Sequence, residues 1–240
     1  MTNLILIRHG QSEWNAKNQF TGWVDANLSD KGRSEASLAG KLIKGTKIDI
    51  SNSYTSYLKR AKDTLNIILN IINNQTTITE AWELNERHYG ALTGLNKIET
   101  KTKLGEEVFN QYRRSWDIAP PSIEKNSIYL SKFSDLNSKI PSKKIPTTES
   151  LKNTYERVIP FYRNSIFPQI TSGKKVIIAA HGNSIRALCK NLFNITDYKI
   201  SMLEIPTGNP LCIEFDKNYS SISKAFYLDQ KRSKTLYFNE

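Results

Sequence analysis

Leu4-Ile5-Leu6-Ile7-Arg8-His9-Gly10-Gln11-Ser12-Glu13 begins with four aliphatic residues and stops at an arginine, a histidine and a glycine. Four such residues are too few for a membrane span or an amphipathic helix, but they suit a strand covered on both faces in a parallel sheet. In open α/β sheets ligands collect beyond the carboxyl ends of the strands, where Arg8, His9 and Gly10 fall. The design returns late in the chain. Lys174-Lys175-Val176-Ile177-Ile178-Ala179-Ala180 runs into His181-Gly182-Asn183-Ser184, a second apolar strand handing a His-Gly pair to a helix start. Two of the three histidines are therefore placed alike in an expected α/β fold.

A chain of 240 residues and 27.4 kDa can bury a full core, and a single α/β domain over 1–240 is the favoured organisation. No repeat of fixed period or low-complexity run interrupts it. The N-terminus has no basic region followed by a long apolar segment, and no stretch is suited to crossing a bilayer, so a cytoplasmic protein with no membrane partner is expected. Cys189 and Cys212 lie in apolar surroundings without metal-ligand spacing and read as buried free thiols. The net charge of +11 raises the question of nucleic acid. Its lysines are scattered, with local clusters at Lys139 to Lys144 and Lys231 to Lys234, and no nucleic-acid-binding signature accompanies them. The expected partner is instead a small phosphorylated substrate, steered by a general positive field.

Along the chain, Ser29 or Asp30 is a natural cap for a helix whose apolar stripe is Ala36, Leu38, Ala39, Leu42 and Ile43. A short strand is expected around Ile48-Asp49-Ile50-Ser51. A helix then runs to about Ile72 with Arg60 near its start, where it could join a helix N-terminus in holding a phosphate. Residues 84–94 read as a structured, functional loop, and helical material follows from about Asn96 through Trp116. The stretch 117–148, with four prolines, is irregular. It belongs to an inserted segment over about 91–148 that could serve as a partial lid. A further helix carries Leu151, Tyr155, Val158, Ile159 and Tyr162, distorted by Pro160. The second His-Gly strand, a helix over 184–193 and a last strand over 211–215 complete the reading.

A neutral imidazole at a strand end can attack phosphorus if cations neutralise the phosphoryl oxygens and an acid protonates the departing oxygen. His9 is the candidate nucleophile. Arg8, Arg60 and His181 could surround the phosphoryl group, and Asn183 could add donors from a helix N-terminus. Glu86 could be the proton donor. A metal centre is not expected, because His9 and His181 lack local acidic partners and no His-x-x-x-His spacing occurs.

Arg8-His9-Gly10 after the first strand, Arg60 at a helix start and His181-Gly182-Asn183 after a late strand together resemble the histidine phosphatase superfamily. Within it, Arg8 to Asn15, Phe20-Thr21-Gly22-Trp23, Leu58-Lys59-Arg60-Ala61, Glu83 to Gly90, His181 to Leu188 and Ile205-Pro206-Thr207-Gly208 look like the cofactor-dependent phosphoglycerate mutase family. The resemblance implies a three-layer α/β/α fold with a mostly parallel central sheet. It implies interconversion of 3-phosphoglycerate and 2-phosphoglycerate through phosphorylated His9, with 2,3-bisphosphoglycerate as priming cofactor and no metal. Glu86 would donate and accept the proton, while Arg8, Arg60 and His181 would bind the phosphoryl group, assisted by Asn15, Gly182 and Asn183. Thr21, Gly22, Tyr89, Lys97, Arg113 and Arg114 would hold the rest of the substrate, and His88 would be structural. A homodimer or homotetramer is also implied.

Two neighbouring activities compete with this reading. A bisphosphoglycerate synthase tends to replace Ser12 and the Thr21-Gly22 pair, and plain phosphatases of this fold usually lack Lys97, Arg113 and Arg114; this chain keeps them all. A sensor without turnover would be expected to lose a catalytic group, whereas His9, Glu86 and His181 are present. The C-terminal tail over about 228–240 departs from the family pattern. Whether it moves to close the pocket is left open.

Overall fold

The computed structural model describes residues 2–130, 133, 136 and 138–238. Its first strand, β1 (Leu4–Arg8), is the apolar run, and its alternation sorts the side chains to opposite faces. Leu4 and Leu6 join one core cluster, and Ile5 and Ile7 the other, with none of the four more than 1% exposed. Helices α2 (Asp30–Thr46) and α3 (Lys59–Ile71), which follow the short α1 (Glu13–Ala16), supply Ala39, Ile43, Leu65 and Ile68 to the second cluster. The first cluster is closed by α6 (Leu151–Phe161), which comes after α4 (Lys97–Leu104) and α5 (Glu106–Arg114), and by α8 (Gly182–Leu192), which comes after α7 (Phe167–Thr171). The sheet lies between these layers, giving the expected three-layer arrangement.

The remaining strands are β2 (Asn52–Thr55), β3 (Ile78–Glu80), β4 (Val176–Ala180), β5 (Leu211–Phe215) and β6 (Ile222–Tyr227), in the spatial order β3-β2-β4-β1-β5-β6. The pairings from β3 through β1 are parallel, while β5 and β6 run antiparallel. The register fixes the site. Arg8 pairs with Ala180, so His9 and His181 leave adjacent strands at the same level. Thr55 pairs with Ala179, which sets Ser56 beside them. The last helix, α9 (Asp197–Met202), leads to the 205–208 segment that folds around Arg8.

Several expected elements shift. The strand expected at 48–51 lies at Asn52–Thr55, because all four of these mostly polar residues pair with β4, and Thr55 Oγ1 also donates to the Ala179 carbonyl at 2.9 Å. Ile50 is buried beneath the sheet as a core residue instead. The helical material expected from about Asn96 through Trp116 is present as two helices, α4 and α5, divided at Gly105 (φ 78°, ψ 161°), a positive-φ conformation that glycine adopts without steric cost. Pro160 stays within α6, and the chain then widens into a π-helical turn at Tyr162–Ile166, a local accommodation of a missing backbone donor. In the inserted segment, Ile123, Phe133 and Ile140 pack with Trp23 and Val24, while 131, 132, 134, 135 and 137 lie outside the described residues.

The loop after His9 is seated by two glycines. A Cβ on Gly10 would lie 2.1 Å from the Gly32 carbonyl oxygen, and one on Gly32 would lie 2.0 Å from that of Gln11. Ser29 caps α2 through the Gly32 amide and donates to Gln11, tying the same contact together. Gly32→Ala is expected to lower the unfolding free energy by about 1–3 kcal/mol, the usual range for overpacking, and to reduce turnover by displacing the His9 loop. Urea unfolding and a kinetic assay check this, and an unchanged midpoint would contradict it.

Candidate active site

His9 follows β1 and its amide bonds the Ala180 carbonyl at 2.9 Å. Its Nδ1 lies 2.6 Å from the Gly10 carbonyl oxygen, so the ring proton belongs on Nδ1 and the Nε2 lone pair is available. Arg60 Nε reaches that Nε2 at 3.3 Å. Burial, then the Arg60 and Arg8 guanidinium groups, hold the imidazole pKa well below 6.5. His9 is thus a neutral ring with a nucleophilic nitrogen.

Arg60 enters from the first turn of α3, only 1% exposed, with its terminal nitrogens donating to the carbonyls of Val24 (2.9 Å) and Gly22 (2.8 Å). Burial lowers its pKa to about 10, which leaves it charged at neutral pH. Arg8 donates to the Ile205 carbonyl at 2.8 Å, while its Nε is buried without a partner among the described residues. The His181 ring centroid lies 4.9 Å from that of His9. Its pKa is also held well below 6.5, by burial first and then by Arg60.

Glu86 presents its two oxygens unequally. Oε1 accepts from the amides of Arg87 (2.8 Å) and Asn183 (3.1 Å) and from Asn183 Nδ2 (2.9 Å). Among the described residues no donor reaches Oε2. A Cβ on Gly182 would stand 3.6 Å from the Arg8 guanidinium and 3.8 Å from Glu86 Oε2, so this glycine keeps the slot between them open. A carboxylate with one oxygen pinned and the other free can carry a proton to or from a nearby oxygen.

A buried ion pair braces the loop that carries Glu86. Arg157 on α6 grips Glu149 through two bonds of 2.7 and 3.0 Å and donates to the carbonyls of Glu83, Asn85 and Glu86. Glu149 in turn accepts from the His88 amide. His88 lies off the cavity, packed between Trp23 and Phe133, with its pKa lowered by burial to about 4.

These groups face a cavity of about 300 Å³ lined by Arg8, His9, Asn15, Thr21, Gly22, Arg60, Glu86, Tyr89, Lys97, Arg113, Arg114, Gly182 and Asn183. The structure therefore brings together every residue singled out from the sequence, with His181 immediately behind His9. Tyr89 accepts from Asn183 at 3.0 Å. Burial would raise its phenol, but Arg87, 4.7 Å from the ring centroid, together with Lys97 and Arg113, brings the pKa below its ordinary value. Burial lowers Lys97 and Arg113 as well.

Sequence reasoning left other lining residues without a role. Arg186, on α8 beside Asn183, is 4% exposed and donates to Asn183 Oδ1 at 3.0 Å and to the Ile200 carbonyl; burial lowers it to about 9. Its place one helical turn after Asn183 was the signal that could have marked it. Glu204 joins Arg114 (3.3 Å) and Lys234 of the tail (3.5 Å) at the rim, a contact no local pattern encodes. The tail is docked here: Arg232 bonds the carbonyls of Thr207 and Gly208, and Leu236, Tyr237 and Phe238 pack on the core. Residues 239 and 240 lie outside the described set.

Fold and site define a cation-lined pocket around a neutral histidine. The chain belongs to the histidine phosphatase superfamily (branch 1), whose family model matches residues 4–135. A 2,3-bisphosphoglycerate-dependent phosphoglycerate mutase of Pelagibacter ubique (strain HTCC1062) is 51% identical over 98% of this chain and 99% of its own. One of the same description from Treponema denticola is 47% identical over 95% of this chain and 93% of its own. Among solved structures, a mycobacterial glucosyl-3-phosphoglycerate phosphatase superposes with a TM-score of 0.71 at 19% identity, covering 95% of this chain and 97% of the other. YhfR of Bacillus stearothermophilus gives 0.68 at 20% identity, covering 91% and 93%. Those two likenesses concern the fold.

Two predictions follow from this geometry. Arg157→Ala leaves Glu149 buried without its partner, so a loss of about 3–5 kcal/mol is expected, read by denaturant unfolding; a change within error would contradict the brace. The three histidines differ in role but share depressed pKa values. Unfolding below pH 6.5 therefore takes up protons that the native state lacks. Stability should be complete above about pH 6.5 and fall on acidification towards pH 4, each histidine contributing about 1.4 kcal/mol per pH unit between its folded and unfolded pKa. Thermal unfolding across that range checks the sign, and stability that rises towards pH 4 would contradict it.

Proposed function

We propose that this chain interconverts 3-phosphoglycerate and 2-phosphoglycerate through a phosphorylated His9. The observation that carries the proposal is a neutral His9 whose unprotonated Nε2 meets only Arg60 Nε among the described residues, in one cavity with the half-pinned carboxylate of Glu86 and the cations Lys97, Arg113 and Arg114. The relatives' description adds dependence on 2,3-bisphosphoglycerate. The cavity suits such a group. Besides its cations it offers Arg8 Nε, Thr21 Oγ1 and Arg186 Nε, all buried without partners among the described residues, and groups of this kind in native proteins call for a ligand, ion or water. When bound, 2,3-bisphosphoglycerate would supply the phosphoryl group that primes the enzyme.

In the reading we favour, the His9 phosphoryl group sits on Nε2, where Arg60 exchanges its 3.3 Å contact with the ring for contacts with phosphoryl oxygens. The free hydroxyl of the bound phosphoglycerate attacks phosphorus in line. Its proton passes to Glu86 Oε2, and the P–N bond to His9 breaks. After the bisphosphorylated intermediate turns over in the pocket, His9 Nε2 attacks the other phosphorus, and Glu86 returns the proton to the departing oxygen. Arg8, Arg60 and His181 would stabilise the charge in flight. Asn15 and Asn183 would orient it, and Thr21, Gly22, Tyr89, Lys97, Arg113 and Arg114 would anchor the carboxylate and the resting phosphate. The protein's own cations perform the neutralisation, so no step calls for a metal. No helix among the described residues is long and apolar enough to cross a membrane. A cytoplasmic location, expected from the sequence, and assembly as a homodimer or homotetramer, which rests on the resemblance alone, complete the reading.

Conversion of 3-phosphoglycerate should require a catalytic amount of 2,3-bisphosphoglycerate and survive a chelator; activity independent of the cofactor or abolished by the chelator would refute the mechanism. Glu86→Gln is expected to lower kcat by about 10²–10⁴, the range for losing a general acid–base. Removing 229–240 deletes the Lys234 and Arg232 contacts at the rim, and should divert more of the His9 phosphoryl group to water. The ratio of bisphosphatase to mutase rate measures this, and an unchanged ratio would sink the role of the tail.

A further inference from the structure

Ser56 leaves β2 one residue after Thr55 and is fully buried, as is His181. Its Oγ lies 2.7 Å from His181 Nε2. The same oxygen accepts from the Leu58 amide at 3.2 Å. A serine hydroxyl carries one proton, and among the described residues the Ser56 hydroxyl has one acceptor within reach, His181 Nε2. If Nε2 bore the ring proton, the Ser56 proton would be buried with nowhere to go, at a cost that folded proteins seldom bear. The bond therefore runs from Ser56 to His181, and Nε2 contributes its lone pair.

The remaining nitrogen then carries the proton. His181 Nδ1 is buried and has no partner among the described residues, although its ring stands 4.9 Å, centroid to centroid, from His9. As an N–H it would be a donor awaiting an acceptor. As a lone pair it would repel the oxygens of any phosphoryl group placed beside it. Charging the ring is not an escape, since burial and Arg60 both oppose it. We propose that Ser56 is a positioning residue, which fixes His181 as its Nδ1–H tautomer so that it meets the phosphoryl group at His9 as a neutral hydrogen-bond donor. The phosphoryl group enters through the function proposed above; the tautomer itself follows from the free protein's hydrogen bonds.

The test is nitrogen NMR of the full chain labelled with 15N-histidine and without ligand, combined with kinetics of Ser56→Ala and Ser56→Thr. In the unsubstituted protein the His181 signal should report a protonated Nδ1 and an unprotonated Nε2. Ser56→Ala should populate the other tautomer and lower kcat by about 10- to 100-fold, the value of one hydrogen bond to a charged group, with KM for 3-phosphoglycerate little changed. Ser56→Thr should restore both signals and turnover. A proton on Nε2 in the unsubstituted protein overturns the proposal, even if Ser56→Ala does not fold. So does a folded Ser56→Ala that keeps the Nδ1–H tautomer and normal kcat. If the tautomer is as proposed but phosphoglycerates are not interconverted, the functional reading fails and the positioning role of Ser56 in His181 chemistry stands.

Discussion

The parallel pairing of β1 with β4 is the constraint from which the site follows. Because Arg8 lies opposite Ala180, the next residue on each strand is a histidine, and the two rings are held in contact by sheet hydrogen bonds rather than by flexible side chains. Both strands are buried on both faces, so a slip of register would move a whole set of apolar side chains into the wrong layer. The chemistry is thereby tied to the most rigid part of the core. β2, paired to the other side of β4, brings Ser56 and then Arg60 into the same space.

The second layer of the design is electrostatic. Arg60, bonded to two backbone carbonyls, and Arg186, bonded to one and to the Asn183 amide oxygen, recover part of their desolvation cost, yet among the described residues no carboxylate pairs with either one directly. Such an arrangement is costly to stability and makes sense in a pocket whose ligand brings the negative charge. It also explains why the histidines stay neutral: positive surroundings and burial act in the same direction on an imidazole. Glu86 is held differently. It is oriented by two amides and the Asn183 side chain, and its loop is braced from behind by the Arg157–Glu149 pair, which does not line the cavity.

Much of this was legible in the sequence because it is encoded locally. An aliphatic run followed by Arg8-His9-Gly10, its later echo at His181-Gly182, and the loop containing Glu86 all declare themselves within a dozen residues. What escaped depends on long-range pairing. β2 is short and polar, so its apolar neighbour Ile50 drew the strand assignment towards 48–51. The edge strand β6 is partly exposed, and its apolar residues, interrupted by Ser223 and Lys224, do not alternate. Ser56 looks like any loop serine until β2 is laid against β4. The rim cluster of Arg114, Glu204 and Lys234 joins residues far apart in the chain, each resembling ordinary surface charge when read alone.

The central claim is that His9, with its Nδ1 proton committed to the Gly10 carbonyl, reacts through Nε2. It is tested most directly by treating 15N-histidine-labelled protein with 2,3-bisphosphoglycerate and reading phosphorus–nitrogen coupling by NMR. A single acid-labile phosphate on Nε2 of His9, discharged on addition of 3-phosphoglycerate, is the expected result. Phosphate on Nδ1, on another residue, or on none would contradict it.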